Sequence, residues 1–231
     1  MNKDFIGRWG WRSYLMSAGW SRLSRAGLHV HRVLLRTIGP RCQTGLPAGY
    51  RISIDDGKAL QECSQQELSH LDLSEVFLAG ADERGDQCIG LYERERLVAY
   101  VWNSRGLVPV APGVGVIVGR QSFVYGYKIF VRADRRGAGL GQLLLAYQND
   151  ICRERGIKGV VSYVAIQNYA AHRHSAKFGR VQRVGTAGYF EGMQRVTPFR
   201  SPGARDVDFQ FLGIGRTGNA ISLSNNATSP L

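Results

Sequence analysis

The sequence predicts an α/β protein of the α+β type, a mixed β-sheet flanked by helices. Three observations carry that prediction. Phe123–Val131 is an aromatic and β-branched run of strand length that feeds a glycine cluster and then a helical stretch from Ala138 to Arg155. Val160–Val164 follows as a short buried strand, so two strands flank one helix, as in a parallel crossover. Upstream, the apolar runs Cys88–Tyr92 and Leu97–Trp102 are separated only by Glu93-Arg94-Glu95-Arg96, the spacing of an antiparallel hairpin. Parallel and antiparallel connections in one chain make the sheet mixed.

The elements follow in order. Residues 1–42 hold eight basic side chains against Asp4, a net +7 of the chain's +12. Met16, Trp20, Leu23, Val30, Leu34 and Ile38 recur at spacings of three, four or seven, with Arg22, Arg25, Arg32 and Arg36 on another face. That pattern predicts a basic amphipathic helical extension over 1–42, interrupted by Gly19 and Gly27. It fits packing on the protein's own body, packing in a homodimer, or contact with an anionic membrane surface through Trp9, Trp11 and Trp20. Tyr50, Ile52 and Ile54 alternate with polar residues as a half-buried strand. Ser64-x-x-Glu67 forms a capping box ahead of Leu68, Leu71, Leu73, Val76, Phe77 and Leu78 at helical spacing. Leu107–Gly119 reads as a loop with a short strand at Val114–Val118, and Tyr169–Phe178 as a helix. Strands follow at Val181–Val184, Gly188–Val196 and Val207–Phe211, and residues 214–231 form a disordered tail of Gly, Ser, Asn and Thr. The main domain thus spans 43–213.

Composition narrows the function classes. Hydrophobic residues make up 44% of the 231 and charged residues 21%, enough apolar surface for a core and too little charge for a disordered chain. No run approaches the ~18 apolar residues of a spanning helix, and the start of the chain lacks the apolar stretch of a secretory signal. Cys42, Cys63, Cys88 and Cys152 lack metal-ligand spacing, so the expectation is a cytoplasmic protein with reduced thiols and no metal, at most peripheral at the inner face of a membrane. The basic segment lacks the aromatic interleaving of a nucleic-acid binder.

The chemistry concentrates after Phe123–Val131. A strand feeding Gly137-Ala138-Gly139-Leu140-Gly141 at a helix start makes an anion site, because first-turn N–H groups are unpaired and glycines admit a phosphate to the backbone. Arg135 and Arg136 add mobile positive charge at its rim. A dinucleotide fingerprint fails at Gln142, and the Gly-Lys-Ser/Thr of a P-loop is absent. Arg136, Gly139 and Gly141 do match R-x-x-G-x-G in register. A second signature follows a buried strand: Asn168, a small residue three on, Lys177 and Gly179.

The two motifs, in this order and spacing, resemble the GNAT superfamily of N-acetyltransferases, over roughly Tyr50–Phe211 and most strongly over Ile129–Gly179. The resemblance implies a mixed sheet splayed between its central strands, with Phe123–Val131 and Val160–Val164 as the splayed parallel pair. It implies acetyl-CoA as cosubstrate: Ile129, Phe130 and Val131 beside the pantetheine arm, Arg136, Gly137, Ala138, Gly139, Leu140, Gly141 and Gln142 at the pyrophosphate, Asn168 reaching the pantetheine, and Lys177 near the coenzyme's far end. The implied reaction is transfer of an acetyl or other short acyl group to a primary amine.

Such a reaction needs positioning, an oxyanion donor, for which a backbone N–H near Val131 is suited, and a route for protons. Many members of this superfamily place a tyrosine seven residues after the asparagine as proton donor. Ser175 stands there, with His174 beside it, and these two are the catalytic candidates. The second motif ends in Gly179-Arg180 where Gly-Phe is frequent, and no glutamate lies on Phe123–Val131 to act as base. A non-catalytic acyl-CoA-binding module is therefore the alternative function. Tyr100, Trp102, Tyr125 and Tyr127 fit either a core or an acceptor pocket.

Overall fold

The computed structural model describes residues 3–39, 45–55, 57, 60, 63–169, 171–172, 181–191 and 196–214, without the side chains of 3–10 and 12. The chain runs α1 (Lys3–Arg25), β1 (Leu28–Thr37), β2 (Tyr50–Asp55), α2 (Gln65–His70), α3 (Glu75–Glu83), β3 (Gln87–Glu93), β4 (Arg96–Ser104), β5 (Val108–Ala111), β6 (Val114–Val118) and β7 (Phe123–Val131). It continues as α4 (Leu140–Glu154), β8 (Gly159–Ala165), β9 (Val181–Glu191), β10 (Val196–Arg200), α5 (Pro202–Asp206) and β11 (Phe209–Gly213). Eight strands form one sheet in the order β10-β9-β1-β8-β7-β4-β3-β2, and β11-β6-β5 form a second. Among the described residues only β7 and β8 pair in parallel, so the expected mixed sheet is the observed one.

The N-terminal segment departs from expectation. The helix stops at Arg25, and Leu28–Thr37 is a strand in the interior of the large sheet, antiparallel to β8 on one side and β9 on the other. Val30, Leu34 and Ile38 are four apart, and a spacing of four keeps residues on one face of a helix and equally on one face of a strand. Two neighbours that satisfy the backbone on both sides decide between them. Arg36, which the helical reading put on a polar face, shares a strand face with the buried Leu34.

The middle of the chain differs in detail. Ser64 accepts the Glu67 N–H as the capping box requires, but the apolar run splits into α2 and α3, because Ser74 caps a second start by accepting from Phe77 N–H. The expected loop at Leu107–Gly119 is a full hairpin, β5–β6, extended by β11. A single strand, β9, spans the two expected near Val181 and Gly188, and β10 follows it. Of the expected helix Tyr169–Phe178, only Tyr169, Ala171 and His172 are among the described residues; the tail beyond Ile214 lies outside them.

Three apolar layers fix the sheet. β4 is buried on both faces: Ala99 and Val101 meet Leu140, Leu144 and Ile151 of α4, while Tyr100 and Trp102 meet Leu71 and Leu78 from the α2–α3 side. Tyr100 and Trp102 are thus core residues, and the Tyr100 hydroxyl is satisfied by the Leu71 carbonyl at 2.7 Å. The second sheet covers the remainder, packing Phe209 and Phe211 against Val33, Tyr125, Val161 and Tyr189.

Candidate active site

The site begins where β7 and β8 part. They pair at Phe123↔Gly159, Val124↔Val160 and Tyr125↔Val161 and no further. The next residue, Gly126, touches Val160 so closely that a Cβ there would lie 2.4 Å from Val160 Cγ1. Beyond it the strands diverge around a crevice of about 380 Å³. On the α4 side its walls include Arg36, Gln148, Val160 and Ser162; on the opposite side Tyr125, Tyr127 and Tyr163 back onto Phe209 and the second sheet.

β7 itself is bulged. Trp102 pairs with Tyr127 and Tyr100 with Phe130, so Lys128 and Ile129 together oppose Val101, with Lys128 at φ 47°. The bulge leaves Ile129 44% exposed, where it lines both the crevice and the groove that follows. Arg132 N–H donates to Val98 O at 2.9 Å across the β4–β7 ladder. Antiparallel neighbours alternate, so Val131, one residue earlier, turns its N–H and C=O away from β4 toward the open side of the strand. The backbone of β7 at Val131 is therefore open on the side away from β4.

After Val131 a 3-10 turn at Ala133–Arg135 leads to the glycine loop. Gly137 (φ 88°) and Gly139 (φ 75°) occupy the left-handed region, and Gly139 is the N-cap of α4, which therefore starts at Leu140 rather than Ala138. Gln142 and Leu143 N–H donate to Gly139 O, whereas the N–H groups of Gly137, Ala138, Gly139, Leu140 and Gly141 make no hydrogen bond to a described residue. A groove of about 650 Å³ lies over them, walled by Ile129, Phe130, Val131, Arg135, Arg136 and Gln142. Five such donors at the positive end of a helix are an arrangement that favours negative charge.

The two rim arginines differ. Arg135 is not mobile charge: its Nε and Nη2 donate to Glu93 Oε2 at 2.9 and 2.8 Å, and that contact, with a hydrogen bond from Tyr50, holds the Glu93 carboxyl below its usual range. Arg136 has no carboxylate partner among the described residues and leans on Val131 O at 3.2 Å through Nε.

Asn168 caps the turn after β8, its Oδ1 accepting Ala171 N–H at 3.0 Å, which leaves the amide nitrogen as the group it can offer a ligand. His172 Nε2 donates to Ala165 O at 3.1 Å, and burial lowers its pKa, so it is held neutral against the backbone. Ser175, His174 and Lys177 lie outside the described residues. Among the described residues no carboxylate lines the crevice. Tyr127 hydroxyl donates to Asp86 Oδ2 at 2.6 Å, an oxygen that Arg84 also grips, and burial raises the Tyr127 pKa as it does those of Tyr125 and Tyr163.

The sequence reading missed one group on the crevice floor. Arg36 is almost fully buried, its Nη1 donating to Leu145 O at 2.7 Å and its Nη2 to Gln148 Oε1; Gln148 in turn donates to Asn103 Oδ1. No spacing in the sequence signals it, because the contact joins β1 to a helix more than a hundred residues away.

A mixed sheet opened at its parallel pair, with a glycine loop and a helix start beside the opening, fits the fold of an acetyltransferase family. The chain belongs to the acetyltransferase (GNAT) family, whose family model matches residues 55–179, more than half of its length. No curated protein matches it. Among solved structures, a Drosophila protein is 10% identical with a TM-score of 0.47, covering 94% of this chain and 59% of that one. A GCN5-related N-acetyltransferase from Kribbella flavida is 15% identical with a TM-score of 0.44 (81% and 65% covered), and one from Sphaerobacter thermophilus 15% with 0.43 (84% and 55%). The chain thus spans less than two thirds of the length of each of these three.

Proposed function

We propose that the protein transfers an acetyl or other short acyl group from acyl-CoA to a primary amine. The observation that supports this best is the adjacency of the unpaired N–H groups at 137–141 to the open edge of β7. Acyl-CoA supplies a thioester, whose carbonyl carbon accepts the amine while the thiolate leaves. The loop N–H groups and Arg136 hold its diphosphate, the exposed stretch Ile129–Val131 aligns the arm, and the Asn168 amide nitrogen steadies it from the β8 side. A backbone N–H on the open side of the Ile129–Val131 stretch stabilises the charge that develops on the carbonyl oxygen, a contact that does its work in the transition state. The donor lies on the α4 face, and the amine enters from the face of Tyr125, Tyr127 and Tyr163. Without a carboxylate among the described lining residues, the proton of the amine leaves through water or a hydroxyl.

A non-catalytic acyl-CoA-binding module is the second reading, favoured by that lack and by Ser175. Incubating the protein with isotopically labelled acetyl-CoA and a cell extract, followed by mass spectrometry and free-thiol measurement, separates the two. A labelled amide with stoichiometric thiol release supports the enzyme; tight coenzyme binding without release supports the module.

A further inference from the structure

Arg36 is a buried cation without a carboxylate partner among the described residues, and it lines the crevice. The side chain is only 8% exposed, burial brings its pKa down to about 10, and no carboxylate contributes to holding its charge. Two of its five N–H donors are used, by Leu145 O and Gln148 Oε1, both neutral acceptors. A guanidinium removed from water and left with neutral partners is costly, and the cost is offset when an anion reaches it.

The surroundings are arranged to let one in. Arg36 lines the crevice beside Leu145 and Gln148 of α4, and the groove lies over the N-terminal turn of the same helix. Gly126 leaves no side chain between β7 and the Gln148–Asn103 pair, whose nearest atoms would lie 3.8 Å from a Cβ there. Gln148 is fully buried and is tied to Asn103 on one side and Arg36 on the other, which fixes the direction of the guanidinium. Ile129 borders both cavities, so a chain that leaves the groove at β7 passes directly into the crevice.

We infer that the acyl donor is a dicarboxylic acyl-CoA, of the succinyl class, whose distal carboxylate is bound by Arg36 at the crevice floor. The inference rests on the coenzyme reading above and names the acyl group that reading leaves open. In the reaction the amine nitrogen forms a bond to the thioester carbonyl, the C–S bond breaks, the proton lost by nitrogen balances the thiolate formed, and the distal carboxylate emerges unchanged on the product amide. A fork-shaped cation suits it, since planar carboxylates accept two parallel N–H bonds.

The test is calorimetric titration of the full chain with coenzyme A, butyryl-CoA and succinyl-CoA, the last two differing in whether the chain ends in methyl or carboxylate. Binding of coenzyme A alone checks the coenzyme reading, and its failure removes both proposals. With coenzyme A bound, the expected result is succinyl-CoA at least about tenfold tighter than butyryl-CoA, the magnitude of one charge-assisted contact. Equal affinities, or a preference for butyryl-CoA, overturn the inference and leave the coenzyme reading intact. That comparison needs no variant. In Arg36→Gln, shown folded by its thermal transition, the ratio of succinyl-CoA to butyryl-CoA affinity is expected to fall to about one, whatever the absolute affinities become; a preference that persists in the folded variant also overturns the assignment.

Discussion

Arg136 Nε lies 3.2 Å from the carbonyl oxygen of Val131, so the first residue of the loop signature is hydrogen-bonded to the last residue of the strand that feeds it. The contact aims the guanidinium over the groove, while the neighbouring Arg135 is spent on Glu93. Arg136→Gln is expected to weaken coenzyme A binding by roughly ten- to a hundredfold, the range for a charge-assisted phosphate contact. The loss should shrink as salt is raised, because the contact is partly solvent-screened. Arg135→Gln should act chiefly on the loop's thermal stability. Titration of both variants at two ionic strengths checks this.

Gly139 is in the left-handed region at the N-cap of α4, lines the groove and has an N–H that makes no hydrogen bond to a described residue. Gly139→Val places a β-branched residue at a φ that costs about 1–2 kcal/mol and puts a side chain on the loop. The expected outcome is a folded protein, a few degrees less stable, whose acetyl-CoA affinity falls by more than about tenfold, as loss of a phosphate-holding turn requires. Calorimetric affinity equal to wild type would remove the loop from the coenzyme site.

His31 packs edge-on to Tyr163 (4.7 Å between centroids) and against Phe211 (5.0 Å), and neither ring nitrogen finds a partner among the described residues. Burial, aided by the nearby His29, depresses its pKa to about 4. Between about pH 6.5 and 4 the unfolded chain therefore binds a proton that the native state does not, and stability falls as pH is lowered through that window. Between pH 7 and pH 5 the loss should be on the order of 2 kcal/mol. Denaturant unfolding at pH 7 and pH 5 should show a larger fall for wild type than for His31→Leu; identical slopes would show that the imidazole is not titrating in the fold.

Deletion series should separate the two halves of the N-terminal segment. Removal of residues 1–25 leaves β1 in place and is expected to preserve folding. Removal of 1–42 takes away the strand between β8 and β9 and should abolish it, as followed by circular dichroism. Trp11, Leu15, Met16 and Leu23 of α1 are exposed beside Arg22 and Arg25, so sedimentation with acidic vesicles should be lost with 1–25 and be sensitive to salt.

The position of the family's proton donor holds Ser175, whose hydroxyl does not supply a proton unaided at neutral pH. In the proposed reaction a thiolate is a tolerable leaving group, so positioning and a backbone N–H of β7 are expected to carry most of the rate. Ser175→Ala should lower turnover by less than about tenfold, against the 10²–10⁴-fold typical of a dedicated acid. His174→Ala should behave alike. A hundredfold loss in either, with coenzyme affinity unchanged, would identify that residue as the acid.

The strand, loop and helix start of the proposed coenzyme site were legible because they are local. Strand, glycine loop and helix start are consecutive in the chain, and the left-handed positions at Gly137 and Gly139 can be filled at little cost only by glycine, so residue type there reports geometry directly. The parallel pair was legible for the same reason, since a strand–helix–strand run leaves few ways to connect. The segment 28–37 was not, because Val30, Leu34 and Ile38 fit a helix face and a strand face equally, and pairing with β8 and β9, more than a hundred residues downstream, decides the matter. By itself the sequence determined what one run of backbone must do: bend at glycines, begin a helix and leave its first N–H groups unpaired. Only the tertiary structure set Arg135 on Glu93, left Arg136 free of any carboxylate among the described residues and buried Arg36 at the crevice floor, since the fate of a charge depends on which distant groups share its loss of water.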